Sequence, residues 1–148
     1  METIEQRIIG FFEKQGWDYA REENLVQSGV ALESAPGGAS IHAVIGPSAY
    51  TLLVAPDVQI PAEYAAQALA FANGVNVRML LGGFFFDEEE RLLVFRLGQI
   101  GSAPDAQSVE DAFLYAISVV EDTGDAVSAI AQGEADAQAA LAMCFSED

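Results

Sequence analysis

Apolar residues in the first fifteen positions fall at Ile4, Ile8, Phe11 and Phe12, while Glu5, Arg7, Glu13 and Lys14 take most of the other side. Spacings of i, i+4, i+7 and i+8 mark one face of a helix. The pattern predicts a helix over residues 3–15, with Thr3 able to cap its start and Gly16 to end it. Trp17 and Tyr19 then alternate with polar neighbours, so the helix feeds an extended segment. Three strand-like runs follow, VQSGVALE (26–33), SIHAVI (40–45) and YTLLVA (50–55), broken by SAPGG and GPS. Gly and Pro at those breaks suit short turns, and the close spacing makes antiparallel pairing the economical choice.

Pro61 fits the first turn of a second helix, where its missing N–H has no partner to lose. The run AEYAAQALAFANGVN carries Tyr64, Ala68, Phe71 and Ala72 along one stripe, with Asn73-Gly74 as the expected stop. RMLLGGFFF and RLLVFRLGQ then flank DEEE, the pattern of a hairpin with an acidic tip, Asp87 to Glu90. Alternation along these strands puts Leu80, Phe84 and Phe86 on one face and Met79, Leu81 and Phe85 on the other. In the returning strand Leu92 and Val94 oppose Leu93, Phe95 and Leu97. Both faces are apolar, yet helices packed on one side bury only that side. A large second apolar face marks a binding surface. Phe85, Leu93, Phe95 and Leu97 are its expected members.

The last third is helical. Ser108 and Asp111 resemble a capping box, and Val109, Phe113, Ala116, Ile117 and Val120 follow at helical spacing. EDTGD (121–125) is expected to weaken or bend this helix, and Gly133 to separate off a final helix, EADAQAALAMCF. No repeat, linker or break in composition divides the chain. The expectation is a single α+β domain over residues 1–148, an antiparallel sheet of about five strands with helices packed on it, in the order α-β-β-β-α-β-β-α(-α).

Charge changes the picture of partners. The chain has 23 acids against six bases, a formal net charge of −17, and residues 101–148 hold no Lys or Arg. Such a field repels nucleic-acid phosphates and anionic lipid and favours a basic partner protein. The N-terminal METIEQRIIGFFEK has no basic region of the signal-peptide kind. The apolar stretch MLLGGFFF falls far short of the roughly 20 residues that span a bilayer. A cytoplasmic protein without membrane attachment is expected.

Candidate chemistry is sparse. The carboxylates of Asp87 to Glu90 suit a hard cation, but they lack the alternating acids and central Gly of an EF-hand loop. His42, the one histidine, sits in a strand with no identifiable partner for base catalysis. Cys144, the one cysteine, has acidic surroundings that disfavour its thiolate. Gly98-Gln-Ile-Gly101 has the GxxG spacing of phosphate-gripping loops, but no basic residue follows. No catalytic residue, metal ligand or cofactor is assigned, and the chain does not read as an enzyme.

The stretch PAEYAAQALAFANGVNVRMLLGGFFFDEEERLLVFRLGQI, leading into SVEDAFLYAISVVEDTGDAVSAI, resembles the YbjN family of bacterial sensory transduction regulators. Pro61, Asn73, Asn76, the strand into Phe84 to Phe86, the acidic turn and the long final helix carry the resemblance, which spans roughly residues 4–145. One departure is visible: the hairpin tip has no Gly, where the family often has an Asp-Gly turn. The resemblance implies the fold of type III secretion chaperones and a small, often dimeric protein that works by binding proteins. The leading expectation is therefore a non-enzymatic protein-binding module, chaperone-like or regulatory, that forms a homodimer and can hold a protein client. The alternative is a small-ligand or metal-binding sensor, using the carboxylates of residues 87–90 or a pocket between the sheet and the final helix.

Overall fold

The computed structural model describes residues 3–101 and 104–145. Glu2, Glu147 and Asp148, which enter the charge pattern above, lie outside them. The first helix, α1 (Ile4–Gln15), forms where its period requires and buries Ile4, Ile8, Phe11 and Phe12. Its cap is reciprocal. Thr3 Oγ1 accepts from the Gln6 N–H at 3.1 Å, and the Thr3 N–H donates to Gln6 Oε1 at 2.8 Å. Gly16 closes the helix at φ 74°, a left-handed conformation that costs glycine little.

The strands are β1 (Tyr19–Glu22), β2 (Leu25–Val30), β3 (Ala39–Ile45), β4 (Ala49–Pro56), β5 (Gly83–Asp87) and β6 (Leu92–Ile100). They form one antiparallel sheet in the order β1-β2-β3-β4-β6-β5. The sixth strand is the extended segment after Trp17. All four β1 side chains are exposed, so main-chain pairing to β2, and not burial of Tyr19, makes the expected extended segment a strand of the sheet.

A short 3₁₀ turn (Ala62–Tyr64) leads into α2 (Ala65–Asn76), and α3 (Ala106–Ala131) and α4 (Ala137–Cys144) complete the chain. The strand expected over 26–33 ends at Val30, the final helix starts at Ala137 and not Glu134, and three further boundaries differ from expectation. First, α2 runs through Asn73-Gly74 instead of stopping there. A Cβ on Gly74 would sit 2.9 Å from Leu141 Cδ2, so this glycine admits α4 to close contact and ends nothing. Second, residues 78–82 are not strand, because Gly82 turns the chain at φ 73° and β5 starts only at Gly83. Third, α3 begins at Ala106. Asp105 is its cap and accepts from the Ser108 N–H at 2.7 Å, which takes the role expected of Ser108.

The long helix α3 is uninterrupted through EDTGD. Thr123 Oγ1 donates to the Val119 carbonyl at 2.8 Å, so its hydroxyl is satisfied inside the helix. Gly124 leaves room for the loop after β2. The Glu121 carboxylate holds that loop, accepting from the Glu33 N–H at 3.0 Å, the Ser34 N–H at 3.1 Å and Ser34 Oγ at 3.3 Å. One apolar cluster joins the helices to the sheet. Phe11 stacks on Phe113 with centroids 4.8 Å apart, and Phe84 lies 5.3 Å from Phe95.

Candidate functional site

The six-stranded sheet has a helix-covered face and an open one, and the register of β5 on β6 decides which side chains go where. Phe84 pairs with Phe95 and Phe86 with Leu93, while Phe85 pairs with Val94 and Asp87 with Leu92. Directly opposed residues in an antiparallel pair share a face. Phe84, Phe86, Leu93, Phe95 and Leu97 therefore point together into the core, where Leu93 and Phe95 are fully buried. Of the four residues expected on the second face, only Phe85, 40% exposed, lies on it. Grouping it with Leu93, Phe95 and Leu97 is corrected by the register, which alternation within one strand does not supply.

The open face carries a depression of about 440 Å³. Its lining comes from strands and the hairpin tip alone, with no helix residue contributing. Ser40 and His42 enter from β3, Leu53 and Ala55 from β4, Val94 from β6 and Phe85 from β5. Asp87, Glu90 and Leu92 form the rim on the tip side. Ala55 and Val94 are buried even without a helix above them, so the floor is apolar and well packed. The His42 imidazole makes no hydrogen bond with the described residues.

The tip solves its missing glycine in two ways. Arg91 takes the left-handed position, at φ 58°. Asp87 Oδ1 accepts from the Glu89 and Glu90 N–H groups, each at 3.1 Å, and so caps the turn from within. Among the described residues no group of three or more His, Cys, Asp or Glu side chains is placed to hold a metal ion. Gly98 to Ile100 belong to β6, so the GxxG spacing is mostly strand.

Both sheet edges are partly closed to strand addition. At the β5 edge Asn76 folds over the main chain. Its Nδ2 donates to the Phe84 carbonyl at 2.9 Å, and its Oδ1 accepts from the Phe84 N–H at 2.7 Å. An amide matched to a main-chain N–H and C=O occupies the groups that an incoming strand needs. Sequence reading missed this role, although Asn76 stood in the family pattern. Replacing Asn76 by Leu should cost about 1–3 kcal/mol, because the part-buried Phe84 groups lose their partners. It should also increase self-association in light scattering at high concentration. Unchanged urea stability would remove the clamp from the account. The opposite edge, β1, is short and polar, and Arg21 forms an ion pair with Glu5.

A second concavity lies between α2, α3 and α4, lined in part by Val75, Met79, Val119, Asp122 and Cys144. At about 180 Å³ it is smaller than the roughly 300–1,000 Å³ of ordinary small-molecule sites. Burial, then the charges of Asp122 and Asp125, push the Cys144 thiol above its usual range. The thiol is protonated at neutral pH and is a weak nucleophile.

No helix among the described residues is long and apolar enough to cross a membrane. The model of the YbjN family, described as "Putative bacterial sensory transduction regulator", matches residues 5–129. Neither a curated protein nor a solved structure matches the chain.

Proposed function

The chain belongs to the YbjN family, and on that premise we propose that it is a cytoplasmic regulatory module that works by binding another polypeptide across its open sheet face. The observation that carries this reading is Phe85. A large aromatic ring stands 40% exposed on a packed apolar floor, beside Val94 and Leu92, with no helix over it. Ordered apolar surface of this kind is favoured where a partner removes it from water. The module is chaperone-like in the sense that it holds a polypeptide and carries out no reaction on it. An unpartnered His42 and a protonated Cys144 support that side of the proposal.

The same floor favours a second reading, a C2 homodimer in which two open faces cover each other. Self-complementary patches of this sort are the commonest route to a dimer. Photo-crosslinking inside the cell distinguishes the two. A photoreactive residue at position 85 should trap a specific polypeptide, identified by mass spectrometry. The same residue at position 69, exposed on α2, should not trap it. A product of twice the chain mass would identify the homodimer, and equal capture from both positions would refute a binding role for the open face.

A further inference from the structure

We propose that the segment held on the open face is cationic as well as apolar, with an aliphatic residue over Phe85 and Val94 and a Lys or Arg at Asp87 and Glu90. The proposal rests on the open-face reading and adds the chemistry of the occupant. Its basis is the junction of two unlike surfaces within one depression, an apolar floor and a rim of two carboxylates.

Among the described residues the rim acids have no basic partner of their own. Neither Asp87 nor Glu90 makes an ion pair among the described residues, although Arg91 stands in the same turn and Arg96 lies on the same face of β6. Asp87 uses Oδ1 inside the turn and leaves Oδ2 for a ligand. Glu90 engages through its main chain, where its carbonyl accepts from Gln59 Nε2 at 3.3 Å, and its carboxylate is unengaged.

A cation at this rim sits over apolar surface that excludes water, where its attraction to two carboxylates is stronger than in bulk solvent. The charge of the whole chain, −17, draws such a segment in from a distance and makes its association rate fall with salt. A second copy is the weaker occupant by the same measure. It brings another 23 acids and only six bases to the contact.

The test uses three fluorescein-labelled ten-residue peptides, alternating Val with Lys, Val with Glu, and Ser with Lys, read by anisotropy at physiological salt. Asp87→Asn/Glu90→Gln removes the rim charge while keeping an oxygen to cap the turn. Glu22→Gln/Glu23→Gln removes the same charge at the far edge of the sheet, and Phe85→Ser removes the ring. The Val–Lys peptide should bind the wild type and the far-edge variant alike, and the rim variant about tenfold more weakly. Phe85→Ser should weaken it as well, and the other two peptides should bind poorly throughout.

Equal weakening by both charge variants would mean a general acidic field and would overturn the proposal. Weakening by Phe85→Ser alone would overturn the cationic chemistry and leave the open-face reading standing. No effect from any variant would overturn both. A wild-type dimer that Phe85→Ser converts to a folded monomer would assign the face to a second copy and overturn the proposal.

Discussion

Replacing Phe95 by Ala should lower the unfolding free energy by about 3–5 kcal/mol, the range for emptying a buried aromatic site. Phe85→Ala, at a position that is adjacent in the sheet but on the other face, should cost about 1 kcal/mol or less, because much of that ring is already in water. Phe95 is fully buried against Phe84, with Tyr115 of α3 edge-on at 6.1 Å. The contrast follows from register alone, since both side chains are phenylalanines in the same hairpin. Urea titration of the two variants checks it. Equal losses would place Phe85 in the core and remove the open face as a site.

Gly124→Ala should destabilise the protein by about 1–3 kcal/mol, the usual penalty for forcing a methyl group into a packed contact. The new Cβ would collide with Ser34 Oγ and lie 2.7 Å from Ser34 Cβ, where the loop after β2 rests on α3. Combining it with Ser34→Gly removes both obstructing atoms. The double variant should then be more stable than the sum of the two single losses predicts, by about 1 kcal/mol or more. Simple additivity of the two changes would show that the loop is not seated where Glu121 and Gly124 hold it.

What the sequence displays is periodic. The helix of residues 3–15 is legible because Ile4, Ile8, Phe11 and Phe12 repeat at its pitch, and the β5–β6 hairpin because two apolar runs bracket an acidic turn. Features that depend on a second element are not periodic and were missed. The extended segment after Trp17 was expected, but with no buried side chain nothing marked it as a sixth strand of the sheet. Gly74 looks like a helix stop until Leu141 of α4 is seen against it. Asp105 and Ser108 are both good capping residues, and composition does not choose between them.

The candidate site divides in the same way. An apolar second face, and Phe85 on it, follow from alternation. Leu93, Phe95 and Leu97 were placed with Phe85 because the match of β5 to β6 is a relation between strands. The Asn76 clamp joins residues eight apart, and the Glu121 clamp joins residues 87 and 88 apart. Neither contact leaves a mark on local pattern. The depression itself joins β3, β4, β5 and β6 with the tip, and only the folded sheet brings them together.

On the function proposed above, this face stands open in the folded chain and is held for another protein. The most direct measurement is the solution mass, by light scattering, of the wild type and of Phe85→Asp, with circular dichroism to confirm folding. The expected result is a wild-type monomer and a variant that keeps both its fold and its mass, because Phe85 already faces water. A variant that unfolds would make Phe85 part of the core, and a wild-type dimer that the substitution splits would show the face already covered by its own copy.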